Sequence, residues 1–377
     1  MTKKTKELIV FISKLFLFLR VSSLLFAWLG TKILPFKHSF PYAPGTLYSF
    51  GSPLLWSWAN FDGVHYLRII QDGYIYGLTQ AYFPLYPLLT GFLDKLINNL
   101  LLSGLLISHL FFFGLLVVFY KLARLDFDKK IARRALILLV IFPTSFFFLS
   151  YYTESLFLFL VLLSFYLARK ENWFWAGIVG IFASSARVLG VLIVPALLFE
   201  YWQKRKKQLN LKDLTSCFLP IFGILSYMVY LKEKFGDPLL FVHSQEGFGA
   251  GRSTDKIILL YRVFWRYLKM VLTVDPCNPI YPTVWLELAA SVLFLILLIL
   301  GIKKVRQAYL VFAGLAYLLP TLTGTFSSMP RYVLVLFPGF MVLGLIKSKR
   351  IFYFLCSIFF LLMGFCTVLF TRGHWIA

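Results

Sequence analysis

The sequence predicts an all-α polytopic membrane protein with about eleven transmembrane helices and a long first external loop. Three observations predict it. Hydrophobic residues make up 60% of the 377 positions and charged residues only 14%, with a mean hydropathy of +0.79, far from a soluble globular chain. Apolar runs long enough to cross a bilayer recur throughout. Between them Lys and Arg fall in short clusters, as they do in cytoplasmic loops. The net charge of +22 is thereby accounted for without a basic domain, so no nucleic-acid partner is expected.

In chain order, the basic TKKTK is followed by an apolar run from Leu8 to Gly30, too long for a cleaved signal and read as a retained first span. Arg20 lies inside it, either as a site residue or as a snorkelling side chain. Residues 31–98 form the first external loop. A span from Leu100 to Tyr120 returns to the basic KLARLDFDKKIARR at 121–134. Spans from Leu136 to Leu149 and Leu156 to Ala168 bracket the turn Ser150–Ser155. Spans from Trp173 to Ser185 and Val188 to Tyr201 bracket Arg187. The KRKK cluster from Lys204 to Lys207 faces inward, and the span Leu214–Leu231 leads to a second external loop at about 232–282. Spans from Val284, Tyr309, Tyr332 and Ile351 complete one integral-membrane domain over residues 1–377.

The inward segments carry 22 Lys and Arg and the much longer outward segments 14. This places the N-terminus in the cytoplasm and the long loops outside a multi-pass cell membrane. The four cysteines show no metal spacing. Cys356 and Cys366 are about 15 Å apart along one helix, too far to bridge.

The stretch from Trp56 to Pro87, WSWANFDGVHYLRIIQDGYIYGLTQAYFPLYP, is the one place where polar groups collect in an otherwise apolar chain. Asp62, His65, Arg68 and Asp72 fall within eleven residues. A helix over 61–71 puts Asp62 on one face with His65 and Tyr66, and in a first turn where a carboxylate is favoured. That arrangement suits a general base, and equally an interfacial amphipathic helix with solvated charges. Outside this stretch, Glu154 in SYYTES follows a span end, Arg187 in SSARVLG sits in a very short turn, and Arg331 in SSMPRYVLV follows Pro330. Each Arg so placed needs an anion or backbone carbonyls, and a phosphate suits the guanidinium fork. The second loop adds Gln245 within GDPLLFVHSQEGFGAGR. Asp62, His65 and Asp72 are the set a divalent metal would use. Arginine alone handles a phosphate leaving group, so no cofactor is expected. An outward-facing acid, external arginines and wide apolar surfaces suggest an enzyme meeting a lipid-linked phosphorylated substrate. A lipid or solute transporter is the alternative, though its charges belong near the midplane and often in inverted halves.

The run WANFDGVHYLRIIQDGY with YFPLYP resembles the first-loop signature of the PIG-V family of mannosyltransferases and its prokaryotic relatives. YYTESLF, SSARVLG, GDPLLFVHSQ and SMPRY resemble later segments of that family in the same order, out to about Pro338. Relatives often carry Trp directly before the loop acid, where this chain has Phe61. The resemblance implies a GT-C glycosyltransferase fold and transfer of a sugar, usually mannose, from a polyprenyl-phosphate donor to a glycolipid or glycan acceptor at the outer face. By that analogy Asp62 is the essential loop acid and catalytic base of an inverting transfer. Arg331 or Arg187 takes the leaving phosphate, and His65 and Asp72 orient Asp62 or the sugar hydroxyls. Tyr66, Arg68, Glu154 and Gln245 complete the expected substrate contacts.

Overall fold

The computed structural model of the chain describes residues 3–38, 43–204, 209–278 and 280–376. The cluster KRKK lies outside them except for Lys204. Among the described residues every regular element is an α-helix or a 3-10 turn, with no strand. The chain is an all-helical polytopic membrane protein. Among the described residues four helices are long and apolar enough to cross a membrane: Thr5–Ile33, Leu100–Ala123, Tyr281–Gly301 and Lys349–Thr371.

The remaining predicted spans are shorter than expected or interrupted, so they are not eleven uninterrupted crossings. Glu154–Arg169, Trp173–Ala186 and Gln307–Thr321 are 16, 14 and 15 residues long. The run from Leu136 breaks where Lys129–Val140 ends, and resumes as the 3-10 turn Ser145–Leu149. Pro143 explains the break, since it lacks an N–H and drives the residue before it out of helix. Pro220 likewise divides Leu211–Ser216 from Ile221–Phe235. The segment from Tyr332 is split between Met329–Tyr332, a 3-10 turn and Phe337–Gly344. Residues 138–158 are all buried. Irregular backbone is tolerated at membrane depth where protein rather than lipid surrounds it.

The expected single domain resolves into two compact units, each assembled from separated stretches of chain. One comprises Met1–Gly73, Leu85–Leu162 and Leu343–Ile376; the other is built from Tyr74–Pro84 and Leu163–Val342. Residues 31–98 therefore contribute to both. In the first unit the N-terminal helix packs along Lys349–Thr371, and Leu85–Ile97 lies against Leu100–Ala123. In the second, Trp173–Ala186 packs on Ile221–Phe235, and Ile193–Lys204 on Gln307–Thr321. The second pair is stapled by Glu200, fully buried, whose two carboxylate oxygens face Arg306 Nε at 2.5 Å and Arg169 Nε at 3.5 Å.

Candidate active site

In the first unit the signature stretch folds into a helix from Asp62 to Asp72, entered through Phe61 at φ 60° and ψ −113°. A bulky residue adopts positive φ only when its surroundings impose it. Here they do so from several sides. Asn60 Nδ2 donates to the Phe370 carbonyl at 2.9 Å, and the Tyr152 hydroxyl donates to the Asn60 carbonyl at 2.7 Å. The Phe61 ring packs against Trp375 and Phe370 at 5.1 and 5.9 Å. The sharp turn makes Asp62 the first residue of the helix and leaves it half-buried.

Glu154 opens a second helix in the same way, in its first turn, but is only 1% exposed. The two helix starts are tied together. Tyr66 and Thr153 share a 3.3 Å hydroxyl contact, and Tyr151 N donates to the Trp58 carbonyl at 2.9 Å. Gly104 makes room for this junction, because a Cβ there would meet the Tyr151 ring at 2.1 Å. The structure therefore joins WANFDGVHY and YYTES, two segments some ninety residues apart, into one polar junction. Both helix N-termini suit anionic or hydroxyl-bearing groups.

His65 is buried beside Asp62. Burial pushes its pKa below the ordinary imidazole value, and the nearby Asp62 charge offsets this only in part. The ring is thus neutral at pH 7 and keeps one N–H to donate. Tyr86, within YFPLYP, was not singled out from the sequence yet packs at the junction. Its ring lies 5.2 Å from Tyr66 and 5.5 Å from Tyr151, and its hydroxyl donates to the Gly104 carbonyl at 2.9 Å. Burial pushes its ionisation far above the usual range, so it is a neutral donor.

Arg68 and Asp72 stand apart from this group. They pair with each other at 3.3 Å, and Arg68 Nε donates to Thr46 Oγ1 at 2.8 Å. Asp72 lies about 15 Å along the helix from Asp62. The expectation that it orients Asp62, or shares a metal ion with Asp62 and His65, is corrected by that length. Among the described residues no three His, Cys, Asp or Glu side chains converge as metal ligands. The Arg20 guanidinium lies over the Trp58 ring at 5.3 Å, with Nη1 buried and without a hydrogen-bond partner.

In the second unit the structure brings Arg187 and Arg331 together. Arg187 ends the helix Trp173–Ala186 in extended backbone. The chain then folds back so tightly that a Cβ on Gly190 would lie 2.3 Å from the Ser184 nitrogen. Arg331 is 5% exposed, within the one-turn helix Met329–Tyr332, which follows Ser328 at φ 69°. Each guanidinium carbon lies 5.4 Å from the centre of the Tyr332 ring. The two cations therefore share one ring and are no more than twice that distance apart.

Gln245 is half-buried and accepts a 3.4 Å bond from Arg252. Its loop is more ordered than a flexible turn, since Glu246 accepts from the Thr254 N–H at 2.6 Å and from its hydroxyl at 2.8 Å. Sequence reasoning also missed Glu287, a buried acid within the helix Tyr281–Gly301, to which the Tyr267 hydroxyl donates at 2.6 Å. A lone acid in an otherwise apolar span was the available signal.

The family model described as Mannosyltransferase (PIG-V) matches residues 6–238. That stretch includes Asp62, Glu154 and Arg187 and stops short of Gln245 and Arg331. No curated protein matches the chain.

Proposed function

We propose, from the premise that this chain belongs to the PIG-V mannosyltransferase family and is a membrane mannosyltransferase, that it transfers mannose with inversion from a polyprenyl-phosphate donor to a hydroxyl of a glycolipid or glycan at the external face. The observation that carries the reading is Asp62 itself: a half-buried carboxylate at a helix start, beside a neutral His65 and tied through Tyr66 to the Glu154 helix.

Asp62 accepts the proton of the acceptor hydroxyl as that oxygen attacks the anomeric carbon. The new C–O bond forms as the bond to the phosphate oxygen breaks, and the electron pair leaves with the polyprenyl phosphate. Negative charge grows on that phosphate, so Arg331 and Arg187 bind the transition state more strongly than the ground state. His65 and Tyr66 orient Asp62 or the sugar, and Glu154 and Gln245 take sugar hydroxyls. Arg68 and Asp72, already paired, brace the helix and meet substrate only at its far end. No metal is assigned a step.

The test supplies purified protein with radiolabelled polyprenyl-phosphate mannose and a lipid extract. Asp62→Asn is expected to lose about 10²–10⁴-fold in transfer while keeping its expression and melting temperature. Equal incorporation by variant and wild type would remove the assigned base. Orientation is tested separately through Cys277, which is exposed where Cys217 and Cys366 are buried. A membrane-impermeant maleimide on intact cells is expected to label Cys277 and to lose that signal in Cys277→Ser. Labelling only after permeabilisation would put the second loop in the cytoplasm.

A further inference from the structure

Glu287 lies about one and a half turns into an apolar helix, is 5% exposed, and has no part in the transfer as described so far. An acid at that depth is costly unless its oxygens are satisfied. Both are. Oε2 accepts from the Tyr267 hydroxyl at 2.6 Å, and Oε1 accepts from the backbone N–H of Ser328 at 3.3 Å. Tyr267 is fixed in turn by a 3.1 Å contact with Thr325 Oγ1, which also accepts from the Ser327 N–H at 3.1 Å.

Ser328 is the residue at φ 69°, an unfavourable conformation for a side chain with a Cβ. Its carbonyl then accepts from the N–H groups of Arg331 and Tyr332 at 3.0 Å each, which sets the one-turn helix that carries both. Glu287 therefore grips the strained residue on which the direction of Arg331 depends. The Ser328 hydroxyl is itself buried and without a partner, and a buried polar atom of this kind is costly unless a ligand or water completes it.

We propose that Glu287 is a positioning residue for the phosphate site. It holds the Ser328 turn so that Arg331 and the Ser328 hydroxyl together address one phosphate of the lipid-linked donor. This rests on the reading of Arg331 as a phosphate ligand. Arg331 supplies the charge, Ser328 a neutral donor, and Glu287 acts only through them, with Tyr267 fixing its second oxygen.

The experiment measures binding of polyprenyl phosphate to purified full-length protein in detergent, with the uncharged polyprenol as control and a melting curve for every variant. Arg331→Ala is expected to weaken binding by about tenfold or more, with polyprenol binding unchanged. Glu287→Ala is expected to approach the same loss, and the double variant to be weaker than Arg331→Ala alone by no more than the severalfold that Ser328→Ala loses. Glu287→Gln, whose amide oxygen still accepts one of the two bonds, is expected to fall between wild type and Glu287→Ala with an unchanged melting temperature. Ser328→Ala, at the same backbone angles, is expected to weaken binding severalfold. Losses that multiply in the double variant, or Glu287 variants that bind like wild type while Arg331→Ala does not, would overturn the positioning role alone. Wild-type binding by Arg331→Ala would instead overturn the phosphate reading beneath it.

Discussion

Glu200 and Asp62 are both acids that an apolar chain must keep from lipid, and the fold handles them in opposite ways. Glu200 is fully buried with a guanidinium at each oxygen, and one of those arginines also donates to Tyr309 at 2.6 Å. Asp62 is half-buried in a first turn, next to a histidine that burial keeps neutral. A structural acid is saturated with opposite charge, because any imbalance in a dry site destabilises the fold. In the proposed transfer Asp62 must take up a proton, and a helix end with a neutral histidine beside it lowers its basicity less than two paired guanidiniums would.

The sharpest way to break this contrast is to neutralise each acid in turn. Asp62→Asn should abolish transfer and leave the melting temperature alone. Glu200→Gln should do the reverse, destabilising by about 3–5 kcal/mol because two partly buried arginines lose their buried counter-ion, with residual activity in whatever fraction folds. A stable Glu200→Gln protein, or an unstable Asp62→Asn protein, would show the division of labour to be false.

A smaller effect sharpens the role of the junction on the Asp62 side. Gly104→Ala puts a methyl into the seat of the Tyr151 ring. It is expected to cost about 1–3 kcal/mol and to lower transfer beyond the fraction unfolded, because Tyr151 holds the Trp58 segment. Activity per folded molecule equal to wild type would sever the junction from the chemistry.

The smallest expected effect concerns pH. The folded-state pKa of His65 is depressed by burial, so the unfolded chain protonates first as pH falls. Its contribution is constant well above the ordinary imidazole pKa of about 6.5 and becomes destabilising as pH drops through that value. Melting curves between pH 8 and about pH 5 should show a decline that His65→Gln reduces. An identical decline in the variant would place the titration elsewhere.

Much of this was legible in the residues. Asp62 was singled out because an acid, a histidine and a tyrosine at helical spacing stand out from an apolar background, and the helix does begin at that aspartate. Glu154 was singled out because it directly follows a span end. Arg187 and Arg331 were singled out because a guanidinium between apolar segments needs a partner. Asp72 misled, because nearness in sequence was taken for nearness in space, and a straight helix carries it away from Asp62. Glu287 and Tyr86 were missed, since one looks like a stray charge in a span and the other like one aromatic among many.

The sequence by itself determined the membrane class, the helical secondary structure, the longest apolar helices and the chemistry-bearing residue types, because hydropathy, proline breaks and periodicity act over a few turns of chain. Only the tertiary structure decided that the Trp58 segment lies on the Tyr151 segment, that two arginines converge on Tyr332, and that Glu287 reaches Ser328 across forty residues. An apolar helix face reads alike toward lipid and toward protein. Which faces meet is fixed by shape, by glycine seats and by buried hydrogen bonds whose partners are distant in sequence.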